Sequence, residues 1–365
     1  AGFEAAFWDN RLCLDFTYYK TDSRNQILKL ATTAASGYTS QVRNAGHIRD
    51  RGYEIQLGAV PIQTSKGFRW NLDLNYGANS SKVVKLDDEG LITSYQLYSS
   101  GIQILASVGE AYGTLFGTSY VRDANGNVVV DANGLPKIST TNKTLGKFTP
   151  DWTGGISNTF SYRSLSLSFL IDASVGGSIF SNTNKTGKYT GVLANTLSGR
   201  DAEHGGLWYY TDAMGNNVRL SESPSYSVSS DGLYYAQVNG QSTRVYQDGI
   251  MVEGVTESGS KNEEVVSAEK YYHRIYSIAE ANVYDASYVK LREVALSYRL
   301  PRLWTQKLHL QEASVTLTGR NLWTIYKSVP NIDPESALTT GNAQGVEAYS
   351  LPTTRSFGVN LSVKF

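Results

Sequence analysis

Strict alternation of apolar and polar positions recurs along the chain. In "FRWNLDLNY", Phe68, Trp70, Leu72, Leu74 and Tyr76 take every second position, with Arg69, Asn71, Asp73 and Asn75 between them. Successive side chains of a strand point to opposite faces, so this pattern predicts a strand with one apolar and one polar face. "RLCLDFTYY" sets Leu12, Leu14, Phe16 and Tyr18 against Arg11, Cys13, Asp15 and Thr17. "SLSLSFLID" sets Leu165, Leu167, Phe169 and Ile171 against Ser166, Ser168 and Asp172. The closing "SFGVNLSVKF" does the same, with Phe357, Val359, Leu361, Val363 and Phe365 opposed by Gly358, Asn360, Ser362 and Lys364.

The spacing of these segments is asymmetric. Short turns are predicted at Asp9 and Asn10, at Ser65 to Gly67, near Arg163 and Ser164, and at Pro301, where Asp, Asn, Ser, Gly and Pro supply turn conformations. At the opposite ends the connections are long and polar, as in "NQILKLATTAASGYTSQVRNAGHIRDRG" and the stretch from Ser178 to Val283. Short turns at one end and long loops at the other are the plan of an outer-membrane β-barrel. Turning the polar face of Phe68 to Tyr76 outward would expose Arg69 and Asp73 to hydrocarbon, at roughly 2–4 kcal/mol for an Arg near the midplane. The apolar face is therefore expected to meet lipid. A soluble β-sandwich also alternates, but its turns are short at both ends.

Strand direction bounds the count. With the last strand running down, "SVTLTGRNLWTIY" runs up and "ASYVKLREVALSYRLP" runs down, and only zero or two crossings fit between Lys82 and Trp152. About nine or eleven strands result, an odd number that suits part of a barrel. In the down-running strand, Val294, Leu296, Tyr298 and Leu300 are expected toward lipid, with Glu293, Ser297 and Arg299 inward. Lys290 and Arg292 share the lipid parity, which places them above the hydrocarbon band.

Composition agrees with an all-β chain: 34 Gly and 25 Tyr, against 8 Pro and 2 Met. Lys plus Arg equals Asp plus Glu at 33 each, so no field of one sign favours nucleic acid as a partner. The single Cys13 excludes an intrachain disulfide and a Cys-rich zinc site. No apolar run is long enough for a transmembrane helix, and the start shows no signal-peptide pattern.

Longer stretches carry a resemblance. "NVYDASYVKLREVALSYRLP", "GRNLWTIYK" followed by "NIDPES", "VGEAYGTLFGTSYVRDANGNVVVDANGLP", "LGKFTPDWTGGISNTFSYRSLSLSFLIDASVGGSIFSNT" and the terminal "SFGVNLSVKF" are similar to the SusC-like (RagA-like) TonB-dependent outer-membrane transporters. The resemblance implies a transmembrane antiparallel β-barrel of 22 strands, of which residues 1–365 supply the C-terminal portion. It further implies residues 178–283 as a long extracellular loop region, and a plug and TonB box outside this sequence, with the N-terminal barrel and plug segment as a separate partner. The activity implied is active import of oligosaccharides or peptides across the bacterial outer membrane, with TonB, a SusD-like surface lipoprotein and outer-membrane lipid as partners. A surface-exposed β-rich glycan-binding or adhesion module is the alternative.

Candidate chemistry is sparse. His47, His204, His273 and His309 lie far apart with no metal or catalytic spacing. "DANGNVVVDANG" starts like a calcium loop at Asp123, Asn125, Asn127 and Asp131 but lacks the later glutamate, so Asn-Gly turns at Asn125 and Asn133 are expected instead. No phosphate loop is present, and neither a cofactor, a metal nor an enzymatic activity is expected. In the long loop, Trp208, Tyr209, Tyr210, Tyr234 and Tyr235 are candidates for substrate or partner contact, because aromatic rings join a large apolar face to a polar tip. Local packing of the loop is the competing role for the same residues.

Overall fold

The computed structural model describes residues 1–31, 40–87, 89–90, 92–307 and 309–365. Within them nine strands build one antiparallel sheet: β1 (Gly2–Phe7), β2 (Leu12–Ala31), β3 (Ser40–Gln63), β4 (Phe68–Lys85), β5 (Trp152–Tyr162), β6 (Leu165–Val175), β7 (Tyr288–Arg299), β8 (Glu312–Lys327) and β9 (Ser356–Lys364). Each pairs with the next along the chain, so the sheet is an up-and-down meander with β1 and β9 at its edges. Nine is one of the two expected counts, and the connection from β4 to β5 makes no crossing of this sheet.

The turns at the short end stand where Asp, Asn, Ser, Gly and Pro place them. Trp8, Asp9 and Asn10 all take positive φ, as do Gly67 and Arg163. The connection after Pro301 is longer than the other three and carries a short helix, Arg302–Lys307. Pro61 cannot donate to the ladder, and the β3–β4 register shifts between Ala59 and Ile62. Arg11 donates to the carbonyls of Val60 and Pro61 at that irregularity, at 2.9 and 3.1 Å.

Cross-strand register carries the alternation across the sheet. Trp70, Phe160, Leu167, Leu296, Leu317 and Val359 form one continuous row over six strands. The neighbouring row on the other face is Asn71, Thr159, Ser168, Ala295, Thr318 and Gly358. Leu165 and Leu167 remain 47% and 39% exposed, so among the described residues nothing packs over the apolar face there as a second sheet would in a sandwich. Phe68, Tyr162 and Tyr298 edge that face near the short turns, and Tyr18, Tyr53, Tyr76, Trp152 and Trp323 edge it at the other end. Phe68 and Tyr76 are eight residues apart on β4, about 26 Å of strand. Aromatic girdles with an apolar band of this scale between them are the outer surface of a membrane barrel.

One polar residue stands within the band. Asn158 pairs with Leu72 and Phe169 and is 8% exposed, and its Oδ1 accepts from Trp70 Nε1 at 3.0 Å. A buried amide in an apolar setting is tolerable when it is hydrogen-bonded; here the tryptophan stacked on Phe160 supplies the donor.

Two expectations are corrected. The polar stretch after Arg24 is not chiefly a loop: β2 and β3 stay paired as far as Ala31 opposite Ser40, and residues 32–39 lie outside the described residues. Lys290 and Arg292 do not share the lipid parity. Glu293 pairs with Leu170 and Leu291 with Ile171, so Arg292 is an extra residue relative to β6, and the pairing with β8 is irregular at the same place. An extra residue inverts the parity of everything beyond it, so Lys290 pairs with the inward Asp172 and is 3% exposed.

The compact packing lies beyond the end of the sheet opposite the short turns. Residues between β4 and β5 form a four-stranded sheet (Ser94–Ser99, Gln103–Ser107, Tyr112–Gly117, Lys143–Lys147). Residues between β6 and β7 form α1 (Asn182–Thr190), α2 (Ala268–Tyr276) and a six-stranded sheet centred on Gln241–Ile250. Ile102, Ile104 and Leu115 from the first insertion, Phe180 and Ala279 from the second, and Val346 from the β8–β9 connection make one buried cluster. Three long connections thus share a core, and together they form a folded cap.

Candidate functional site

The cap is fastened to the inner wall by ions. Lys290 Nζ donates to Asp333 Oδ1 at 2.5 Å and to Glu335 Oε2 at 2.6 Å. Arg292 donates to Asp172 at 2.7 Å through Nε and grips both oxygens of Glu335. Burial alone would raise the Asp333 carboxyl, but the hydrogen bonds from Lys290 and Thr353 outweigh it and hold the group at about 2. The bulge in β7 is what delivers both cations to the same side as Asp172, so a local irregularity of the wall creates the anchor for residues 328–355.

A second anchor is uncharged on its donor side. Glu347 is fully buried and accepts from Ser181 Oγ at 2.7 Å, from Thr183 N and Oγ1 at 3.2 and 2.6 Å, and from Ser350 N at 3.1 Å. Ser181 also caps α1 by accepting from Asn184 N. One carboxylate therefore joins the β8–β9 connection to the first turn of α1.

The aromatic residues singled out from the sequence fall on two faces of the six-stranded sheet. Trp208 is 7% exposed and packs with Tyr226 and Tyr234 at ring separations of 5.1 and 5.7 Å. Tyr210 and Tyr234 lie against the same cluster, with Ala236 and Val245. Tyr209, 4% exposed, is on the other face, stacked on Tyr246 and donating to Asp248 at 3.2 Å. Tyr235 is half-buried and pairs with Arg244, whose guanidinium lies over Tyr246. Most of this aromatic surface is used in the sheet's own packing, and Tyr210, Tyr234 and Tyr235 keep part of theirs.

The Asp123 and Asp131 segments make the expected Asn-Gly turns. Asp123 Oδ1 accepts from the backbone N–H of Asn125 and Asn127, and Asp131 Oδ1 from those of Asn133 and Leu135. Each carboxylate is engaged by its own turn. Of the histidines, His47 bonds Asp22 at 2.6 Å, His204 bonds Asp201 at 2.7 Å, and His273 stacks on Tyr189.

Sequence reasoning missed a cavity inside the cap. It has a volume of about 700 Å³ and lies between Tyr120, α1, α2 and the Gly249–Val252 segment, with Lys188, Tyr271, Tyr272 and Glu253 in its lining. Lys188 is 8% exposed, and its ammonium donates to the Ala281 carbonyl at 2.7 Å and to Asn282 Oδ1 at 3.3 Å. It also stands over the Tyr284 ring at 5.3 Å. Burial pulls its pKa down to about 8 and pushes the Tyr284 phenol up to about 12. In the sequence Lys188 is one lysine in "NTNKTGKYTG", with no pattern that marks it.

Comparison with known proteins gives this architecture a context. No protein-family model matches the chain. It is similar along its whole length to the TonB-dependent receptor P3 of Formosa agariphila, at 26% identity over 393 residues. It is also similar to the TonB-dependent receptor P26 of the same organism, at 24% identity over 99% of the chain. The chain spans about a third of the length of these relatives, 33% and 34%. Among solved structures, its fold matches the RagAB peptide transporter with a TM-score of 0.61 at 19% identity, over 100% of this chain and 34% of that one. The RagAB peptide importer in its closed-closed state gives a TM-score of 0.62 at 19% identity, covering 100% of this chain and 35% of that one.

Proposed function

We propose that this chain is a wall segment of a RagA-like, TonB-dependent outer-membrane β-barrel and forms part of an active importer of peptides or oligosaccharides. The observation that carries the reading is the continuous apolar row from Trp70 to Val359, exposed from Leu167 onward and edged by aromatics, with a polar row facing the other way. Lipid is the medium that makes that face favourable, and a closed barrel leaves no unpaired edge in it. The remaining strands, contributed outside residues 1–365, complete the barrel, and a plug within it couples to TonB.

The cap, including residues 178–283, stands on the extracellular side, because the short turns of an outer-membrane barrel face the periplasm. There it meets substrate beneath a SusD-like surface lipoprotein. Tyr210, Tyr234 and Tyr235 are the members of the aromatic set with surface left for such contact, while Trp208 and Tyr209 hold the cap sheet together. Peptide is the favoured cargo, since the solved structures that share this fold are of a peptide transporter.

Fractionation and uptake test this reading. The native protein should stay with outer membranes through a carbonate wash, and labelled peptide should enter cells only while TonB is energised. Release into the aqueous phase as a folded species would overturn it and favour a surface binding or adhesion module.

A further inference from the structure

The cap cavity pairs an unneutralised ammonium with space for a ligand. Lys188 is buried, and among the described residues its partners are a carbonyl, an amide oxygen and an aromatic face, with no carboxylate. Taking an ammonium out of water is costly when no anion meets it. A strut between α1 and residues 281–282 needs a hydrogen-bond donor but no charge. The ammonium has three donors, and two are engaged. Lys188 and Ala281, whose carbonyl it holds, both line the cavity.

The rest of the lining fits a small organic anion. Tyr120, Tyr271 and Tyr272 give aromatic walls, and Tyr272 Oη is fixed by donation to the carbonyls of Asn195 and Ser198, both at 3.1 Å. Glu253 is the other charged residue of the lining and is exposed. A cavity of about 700 Å³ matches the span of sites that enclose a small organic ligand.

We propose that this cavity binds the carboxylate of a small ligand at Lys188, with the rest of the ligand held between the tyrosines. The carboxylate belongs to a short peptide's free C-terminus or to a uronic acid of an oligosaccharide; an exposed Glu253 attracts the free amine that only the peptide brings. The assignment rests on the importer reading and names the chemistry its cap selects. The lysine's depressed pKa accords with an ammonium awaiting an anion, and it remains mostly charged at neutral pH.

The test uses the full-length transporter in detergent and isothermal titration. Probes are tetra-alanine with a free C-terminus, the same peptide C-terminally amidated, trigalacturonate, and neutral trigalactose. A charge-assisted contact in a buried site predicts a preference of about tenfold or more for one acid over its neutral counterpart. Lys188→Met should abolish the preference and Lys188→Arg should retain part of it, with thermal melts showing both variants folded. Equal binding of acid and neutral forms by the unaltered protein overturns the proposal without any variant, as does a preference that survives Lys188→Met. Preference for the peptide acid assigns the cargo's C-terminus, and preference for trigalacturonate assigns a uronate. Uptake of the same probes separates the two readings. TonB-dependent uptake indifferent to Lys188 retires the cavity assignment and keeps the importer, while uptake independent of TonB retires the importer.

Discussion

Replacing the wall cation Lys290 by methionine removes the central charge of the anchor while keeping most of the side chain's volume. Lys290 is 3% exposed and Asp333 8%, so the substitution leaves a carboxylate buried with Thr353 as its remaining side-chain donor. Breaking a buried pair from one side costs about 3–5 kcal/mol. Arg292 still holds Glu335, which puts the expected loss at the lower end, about 3 kcal/mol. The loss is local, because these ions join residues 328–355 to the wall while the wall keeps its own ladder. Hydrogen exchange read by mass spectrometry on the full-length protein should therefore show amides around Glu335 to Val346 opening about a hundredfold more often, with β7 and β8 unchanged. Adding Asp333→Asn should recover much of the protection, since removing both ions of a buried pair is far less costly than removing one. Unchanged exchange in Lys290→Met would refute the anchor, and a double variant no better than the single would refute its charge-based explanation.

Three further outcomes are expected. At the middle of the apolar band, Val294→Lys should lower the unfolding free energy in lipid vesicles by about 2–4 kcal/mol, whereas the inward Ser168→Lys should cost far less in the same urea titration. Trp70→Phe strips Asn158 of its donor and should destabilise by about 1–3 kcal/mol, with Asn158→Leu added in the same background restoring most of the loss. Asp333 has its carboxyl depressed to about 2, so its contribution is fully present above the ordinary carboxylate range near pH 4 and fades as pH falls toward 2. Hydrogen-exchange protection of residues 333–338, corrected for intrinsic rates, should fall over that window in the native protein, and the dependence should weaken in Asp333→Asn, leaving the part that Glu335 carries.

The alternation of Phe68 to Tyr76, Leu165 to Ile171 and Phe357 to Phe365 was enough to determine strands, faces and the medium each face meets, because period-two patterning is a property of neighbouring residues. The short turns were equally legible, since Asp9, Asn10 and Gly67 carry their conformational preference locally. So was the resemblance to a transporter family. What the sequence could not convey is anything that depends on counting residues against a partner strand. Arg292 is surplus only relative to β6, and that surplus moves Lys290 from the lipid face to the buried anchor. The same holds for Asn158, a polar residue in the apolar band that reads as an error until Trp70 on the adjacent strand supplies its donor. The cap follows this rule at larger scale: Ile104, Phe180 and Val346 come from three separate connections and show no common pattern until they meet in one core. Lys188 acquires its unusual environment only there, where residues nearly a hundred positions apart close around it. Local chemistry thus specified the wall, and long-range packing alone decided the anchor, the cap and its cavity.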